Sequence, residues 1–294
     1  NKNDKIYVAG HKGMVGNAIV KNLKKNGFNN LLLFDKDKLN LKNRNQVFEW
    51  FENFKPDVVI IAAAKVGGIF ANNSYPVDFL LDNLKIQNNL IECSFINNVK
   101  RLLFLGSSCI YPKFAPQPLK EEYLLTGPLE ITNESYAIAK ISGIKLCNSL
   151  KTQYGFDAIS LMPTNLFGPK DNYHIENSHV MPSLIRKFYN AKLKNEPYVK
   201  CWGSGKPKRE FLYVDDLAEA CIFTLENISS NDDLLYDQDS NFNGIINIGT
   251  GKDLTIKELT ELISKEINFK GDIFWDTSKP DGTPRKLLDI SKAS

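Results

Sequence analysis

Histidine, arginine and long apolar runs are all scarce in this chain, and each scarcity removes a class of function. The three histidines, 11, 174 and 179, are too few and too scattered to build a metal cage, so no metal is expected. The five cysteines (93, 109, 147, 201 and 221) form no C-x-x-C pair and no zinc spacing. Their odd number, with no leader ahead of the first strand, gives the expectation of free thiols in a reducing cytoplasm. The longest uninterrupted apolar run, Val58 to Ala64, is far too short to span a bilayer, so no membrane partner is expected. Net charge is only +3 and is spread along the chain. A nucleic-acid surface would carry a basic stripe, so that partner is excluded, whereas mild basicity suits an anionic small substrate. Arginine stands only at 44, 101, 186, 209 and 285. Where lysine is so strongly preferred, a remaining arginine points to a need for its planar, bidentate fork. That singles out Arg209 and Arg285.

Against these absences stands an ordinary globular composition. The 294 residues, 43% hydrophobic and 24% charged, suffice for two domains or one large α/β unit with an appendage. Short apolar runs at 5–9, 31–34, 57–61, 101–105 and 158–162 read as buried parallel strands. Helical periodicity fills the gaps at 14–26, 44–54, 78–97 and 135–154. Alternating strands and helices mean βαβ units, and so a doubly wound parallel sheet of Rossmann type. After Pro163 the pattern loosens: 168–179 is loop-like and 182–191 helical. Residues 211–225 read as a strand returning to the sheet followed by a helix opened by Asp215. The Asn- and Asp-rich stretch 227–243 reads as a surface insertion, and 255–267 as a helix capped by Thr255. The expected division is a dinucleotide-binding domain at 1–165, completed by about 211–248. A smaller α/β substrate-binding domain takes 166–210 and 249–294. The chain stops at Ser294 as a helix begins, so the domain is expected to run on.

The turn Gly10-His11-Lys12-Gly13-Met14-Val15-Gly16 follows the first strand and opens the first helix. Glycines there let the backbone turn tightly and approach a pyrophosphate, which then sits on the helix N-terminus. Asp35, nineteen residues after Gly16, would hydrogen-bond a ribose diol and favour NAD. Lys36 beside it and Lys12 in the turn would instead neutralise a 2′-phosphate and favour NADP. The residues leave both open. Neither His11 nor His174 is given a chemical role of its own.

Gly106-Ser-Ser-Cys-Ile-Tyr-Pro112 follows the fourth strand, and Tyr136-Ala-Ile-Ala-Lys140 lies on a helix. Tyr-x-x-x-Lys puts phenol and amine on one face, one turn apart, where the lysine charge is expected to lower the phenol pKa. Ser107 sits at the carboxyl edge of the sheet, where ligands bind in open α/β folds. Ser108 is the alternative hydroxyl, and Ser107 is preferred. Cysteine after a strand is ordinarily a small buried hydrophobe, and Cys93, Cys147, Cys201 and Cys221 read so.

With both motifs in this order after a glycine-rich βα turn, the chain resembles the extended short-chain dehydrogenase/reductases. It is most similar to their nucleotide-sugar epimerase/reductase branch. Further segments carry the likeness: Ala62 to Gly68, Met162 to Leu166, Asn177-Ser-His179, Trp202 to Gly205, Arg209 to Phe211 and Lys279 to Arg285. The resemblance implies that Ser107, Tyr136 and Lys140 perform a reduction, and that Cys109 and His179 are the base and acid of an epimerisation. It implies NADP(H) as cofactor, held by the turn from Gly10 to Gly16 with Asp35, Lys36, Leu41 and Ala63. Leu105, Gly106, Ser108 and Lys140 would line its nicotinamide half, with Pro163, Thr164, Asn165, Leu166 and His179. Asn165, Lys187, Trp202, Arg209 and Asp281 would bind a nucleotide-sugar substrate. A homodimer through paired helices of the sheet domain is also implied.

The implied reaction converts GDP-4-keto-6-deoxy-D-mannose to GDP-L-fucose by inversion at C3 and C5, then reduction at C4. A ketone at C4 acidifies both neighbouring carbons, so an enolate held by Ser107 and Tyr136 can be reprotonated from the other face. Cys109 suits the base if positive charge lies near, and His179 the acid near neutral pH. Two rivals remain open. A nucleotide-sugar 4-epimerase or 4,6-dehydratase using NAD shares the turn and the Tyr/Lys pair, without needing a thiol and imidazole. A dinucleotide sensor with a dead site would ordinarily lose the tyrosine or lysine, and both are here.

Overall fold

A computed structural model describes residues 1–174, 178–279 and 281–294. Asn177 and Pro280, which fall within two of the motifs above, lie outside the described residues. The first half alternates strand and helix as the periodicity requires. It runs β1 (Ile6–Ala9), α1 (Met14–Lys25), β2 (Leu31–Leu32), α2 (Arg44–Phe54), β3 (Val58–Ile61), α3 (Ile69–Ser74) and α4 (Pro76–Ile96). Then come β4 (Arg101–Leu105), α5 (Glu134–Tyr154), β5 (Ala158–Pro163) and β6 (Asn165–Phe167). The second half holds α6 (Val180–Leu193), β7 (Tyr198–Trp202), β8 (Lys208–Tyr213), α7 (Val214–Asn227), β9 (Ile245–Ile248) and β10 (Asp253–Thr255). It ends with α8 (Ile256–Ile267), β11 (Asp272–Asp276) and β12 (Arg285–Lys286).

Six strands form an all-parallel sheet in the order β2-β1-β3-β4-β5-β9. Their continuous Val/Ile/Leu runs are buried because helices cover both faces. On one face Trp50 and Phe51 of α2, Leu90 of α4 and Ile144 of α5 pack on the strands. On the other, Ile19 and Leu23 of α1 meet Leu217 and Cys221 of α7. The chain moves outward from β1 to β2, then crosses back to β3. The crevice between β1 and β3 is therefore the switch point at which such sheets bind ligands.

A second sheet runs β10-β8-β12, with β6 also on β8, and β7 pairs with β11 beside it. A third apolar cluster joins α6 and α8 to this region through Leu184, Phe188, Leu259 and Ile263. One expectation fails here. The strand containing Phe211 does not return to the large sheet but centres the small one, and Ile245–Ile248 takes the sixth place instead. The burial pattern explains it. The strand β8 alternates buried and exposed residues, whereas β9 is buried throughout, as a strand covered on both faces must be. Only Leu31 and Leu32 of the expected second strand are paired, and α3 escapes a periodicity reading because it is so short. Thr255 caps α8 through a capping box with Glu258.

The two sheets are tied by Glu210, a fully buried residue of β8. Its carboxylate accepts hydrogen bonds from the Thr250 and Gly251 amides at 2.6 and 2.7 Å, and from the Leu288 amide at 3.0 Å. Its main-chain carbonyl accepts from Thr164 and Asn165 at the end of β5. Glu210→Gln replaces one acceptor oxygen by an amide that faces N–H donors. Loss of about 2–3 kcal/mol in urea unfolding is expected, with the denaturant slope unchanged.

Candidate active site

The glycine turn lies at the β1 edge of the crevice. Gly10 has φ +86°, and a Cβ there would stand 2.8 Å from the Ala63 backbone after β3. Only glycine fits this left-handed position between two strand ends. At Gly13 a Cβ would meet nothing closer than the Gly10 carbonyl at 3.5 Å, so the space above the turn is open. An open glycine turn that leads into the N-terminus of α1 fits a dinucleotide pyrophosphate. Beyond β2, Asp35 is clasped from the turn itself: Lys12 Nζ lies 2.7 Å from one carboxylate oxygen and His11 Nε2 3.1 Å from the other. The Lys12 hydrogen bond leads in holding the Asp35 carboxyl below its ordinary range. His11, given no role from sequence, thus has a partner that spacing alone could not reveal. Lys36 is exposed.

At the other end of the crevice, Ser107 follows β4, and its side chain accepts from the Cys109 amide. The loop is fixed from below, where the Tyr111 hydroxyl donates to Asn247 of β9 at 2.6 Å. Ser107 lies near enough to the Tyr136 phenol for its hydroxyl to favour the ionised form. Ser108, the alternative hydroxyl, is buried.

Tyr136 and Lys140 share a face of α5 as the spacing requires, with Lys140 Nζ 5.9 Å from the phenol ring centre. The expected electrostatics are not found. Burial raises the Tyr136 phenol well above its ordinary value, Cys109 adds to the rise, and only the Ser107 hydroxyl opposes it. Lys140 is itself buried, donating to the Leu105 carbonyl at 2.7 Å, and burial lowers its pKa to about 7. Desolvation thus outweighs the pairing that sequence spacing implies.

Cys109 is half-buried, whereas the other four cysteines are fully buried, as read from sequence. Burial pushes Cys93 up to about 11 and Cys147 and Cys221 to about 12. The Cys109 sulfur receives Asn133 Nδ2 at 3.4 Å and Lys286 Nζ at 3.6 Å. The other side-chain atom of that amide, Asn133 Oδ1, is buried with no partner among the described residues. Neither Asn133 nor Lys286 was found by sequence reasoning. Lys286 immediately follows the Lys279-to-Arg285 segment, which was the available signal. Arg285, singled out for its fork, spends it on Asp253 at 2.5 Å and ties β12 to β10.

Arg209 reaches the same cleft. Its guanidinium donates to the Thr283 and Lys208 carbonyls at 2.6 and 2.7 Å. A Cβ at Gly282 would stand 2.9 Å from it, so glycine there gives it passage. Burial lowers the Arg209 pKa, opposed by Cys109, Glu130 and Asp281. Asp281 accepts from the Ser204 amide and hydroxyl at 2.9 and 2.6 Å, and the hydroxyl leads in lowering its pKa. Trp202 is exposed, with Lys187 Nζ 4.9 Å and Lys279 Nζ 5.6 Å from a ring centre. Lys187 also borders a groove of about 450 Å³ with Asn190, Glu196, Tyr198 and Lys200. Asn165 is half-buried, its amide donating to the Glu210 carbonyl.

His179 precedes α6 with an accessible ring. Surrounding protein mass in the concave cleft still lowers its pKa, opposed by Asp171. No hydrogen bond or ion pair among the described residues joins it to the Cys109 group. Leu105 is buried at the end of β4 and Thr164 at the end of β5, while Leu41 and Leu166 pack against the two cores. Among the described residues no cluster of His, Cys, Asp and Glu could hold a metal, and no helix is long and apolar enough to cross a membrane.

The lysine burial has a consequence for stability. Between about pH 7 and 10.5 the unfolded chain carries the Lys140 proton and the folded chain does not. Stability therefore rises with pH across that window. Lys140→Met should raise the melting temperature of the dinucleotide-free protein by a few degrees at pH 7, and flatten that rise, in thermal scans at several pH values.

Comparison with known proteins agrees with this geometry. The model of the NAD dependent epimerase/dehydratase family matches residues 6–249. GDP-L-fucose synthase 1 of Arabidopsis thaliana is 54% identical, over 99% of this chain and 87% of its own. GDP-L-fucose synthase of Escherichia coli (strain K12) is 51% identical, over 98% of this chain and 89% of its own. A GDP-mannoheptose C4 reductase from Campylobacter jejuni, solved with NADP bound, superposes with a TM-score of 0.90 at 43% identity, covering 100% of this chain and 92% of that one. The chain belongs to the NAD dependent epimerase/dehydratase family and is an enzyme of it.

Proposed function

We propose that this enzyme inverts C3 and C5 of GDP-4-keto-6-deoxy-D-mannose and reduces the C4 ketone with NADPH, giving GDP-L-fucose. The observation that carries the reading is the setting of Cys109. It is the one cysteine not sealed in the core, and it meets Asn133 and Lys286 beside Ser107 and Tyr136. A reductase alone needs no such thiol.

Ser107 and Tyr136 would hold the C4 oxygen and stabilise the enolate as it forms. Cys109 would take the proton, with the Lys286 ammonium balancing its charge. His179 would return a proton to the opposite face; burial disfavours its charged form, and Asp171 offsets part of that. Lys140, with the Gly10–Gly16 turn, Ala63 and the 163–166 segment, would hold the dinucleotide, whose nicotinamide supplies a hydride to C4 when bound. Tyr136 then protonates the C4 oxygen, and its raised pKa keeps that proton available. Arg209 and Lys187 would bind the diphosphate or sugar, Trp202 the nucleotide and Asp281 a hydroxyl. On this reading the small sheet and its helices form the substrate side of the cleft. The exposed Val77 and Leu81 of α4 and Ile138 of α5 support a homodimer through those two helices.

The test is incubation with GDP-4-keto-6-deoxy-D-mannose and NADPH in deuterated water. Deuterium at both C3 and C5, with NADPH oxidised, is the expected result. Oxidation without deuterium would make the enzyme a C4 reductase only, and neither would sink the proposal. Cys109→Ser should slow exchange by about 100-fold or more, the scale of one acid–base group, while NADPH binding changes little. Equal losses of both would mark the thiol as structural. Lys286→Met should slow exchange by about 10- to 100-fold through loss of a charge-assisted contact, with dinucleotide affinity unchanged by titration.

A further inference from the structure

The adenosine end of the crevice carries a charge arrangement that suits neither dinucleotide alone. Asp35 presents a carboxylate at the end of the β2 segment, the place from which a ribose diol is gripped. Both its oxygens are already held, one by Lys12 at 2.7 Å and the other by His11 at 3.1 Å. Lys12, the cation in the turn, is therefore paired with a resident anion. Lys36 makes no ion pair among the described residues, and its side chain is exposed. A 2′-hydroxyl arriving here finds a fixed, charged acceptor. A 2′-phosphate finds two lysines and one opposing carboxylate.

We propose that Asp35, clasped by Lys12 and His11, makes this enzyme bind NAD(H) and NADP(H) with comparable affinity, and that Asp35 is the residue which sets their ratio. This rests on the dinucleotide reading of the crevice. The carboxylate serves the diol directly and opposes the phosphate twice, by repulsion and by occupying Lys12. Lys36 and the outward side of Lys12 keep phosphate binding possible. The carboxylate is accessible enough to meet a ligand: the Asp35 side chain is 36% exposed and that of Lys12 73%. His11, 14% exposed, backs the carboxylate from inside the turn and fixes its orientation.

The experiment measures dissociation constants by calorimetry for NAD⁺, NADP⁺, ADP and 2′,5′-ADP, on the full chain and on three variants. For the unaltered protein, NAD⁺ and NADP⁺ should agree within about tenfold, because one charged hydrogen bond is worth about 10- to 100-fold and is offset here by two cations. Asp35→Asn and Asp35→Thr should each weaken NAD⁺ and tighten NADP⁺, moving the ratio by about 30-fold or more, with the ADP pair following in the same direction. Lys12→Ala should weaken NADP⁺ at least about tenfold more than NAD⁺. A preference of more than about 100-fold for either dinucleotide in the unaltered protein would overturn the proposal. So would Asp35 variants that shift both dinucleotides equally, as a purely structural role for the carboxylate predicts. Failure of every dinucleotide to bind would instead overturn the reading of the crevice. Melting temperatures of the variants, expected to match the parent, separate lost binding from lost folding.

Discussion

The cleft exists because one buried carboxylate holds its two walls together. Glu210 gathers amide donors from the turn after β9 and from the segment beyond β12, while its main chain takes up Thr164 and Asn165 from the end of β5. A carboxylate buried without a cation is costly unless its lone pairs are filled. Here they are filled by backbone from segments distant in sequence, so its burial and the joining of those segments are one event. The neighbours of this clamp reach the Cys109 site. Arg209 precedes it directly, and Lys286 lies two residues before Leu288, whose amide it fixes. The distance from Lys286 to Cys109 is thus set from behind, by a residue that touches neither.

The electrostatics of Tyr136 and Lys140 follow from burial rather than from their mutual charges. Spacing on α5 places phenol and ammonium together, and sequence logic then expects each to stabilise the other's charge. In the fold both sit in a cleft where desolvation dominates, so the phenol keeps its proton and the lysine tends to lose its own. That condition suits a final step in which the phenol donates. It also means that the site is held against its own stability: the buried lysine has the Leu105 carbonyl as its one hydrogen-bond partner among the described residues.

Five of the six strands of the large sheet were legible in the sequence, and the sixth, Ile245–Ile248, was not. Continuous Val/Ile/Leu runs and glycine punctuation encode buried parallel strands locally, and Arg44–Phe54 and Arg101–Leu105 match their elements at both ends. The small sheet was not, because its members are two to six residues long and pair across large sequence separations. Phe211 illustrates the limit: a hydrophobic strand does not state which sheet it joins, and only the alternating burial of β8 against the full burial of β9 decides it. In the site, Ser107, Tyr136, Lys140 and Cys109, all carried by motifs, come close together, whereas no hydrogen bond or ion pair among the described residues joins His179 to them. Asn133, Ser204, Glu210 and Lys286 were missed because each acts through a contact that only tertiary structure creates. The partner of His11 was hidden for the same reason.

The five cysteines make the same point within one residue type. Four lie under helices or strands, where burial raises their thiols and leaves them chemically quiet. The sequence around Cys109 is mixed, since Gly106-Ser107-Ser108 precede it and Ile110 and Tyr111 follow, and it does not by itself separate this thiol from the others. What separates it is the short helical turn at Ser108–Ile110. That turn buries Ser108 and Ile110 and leaves the residue between them facing the cleft. Tyr111, anchored to Asn247, stops the loop from rotating. A thiol held at that point meets an amide and an ammonium contributed by two other segments, and that setting is a property of the fold's closure rather than of its local sequence.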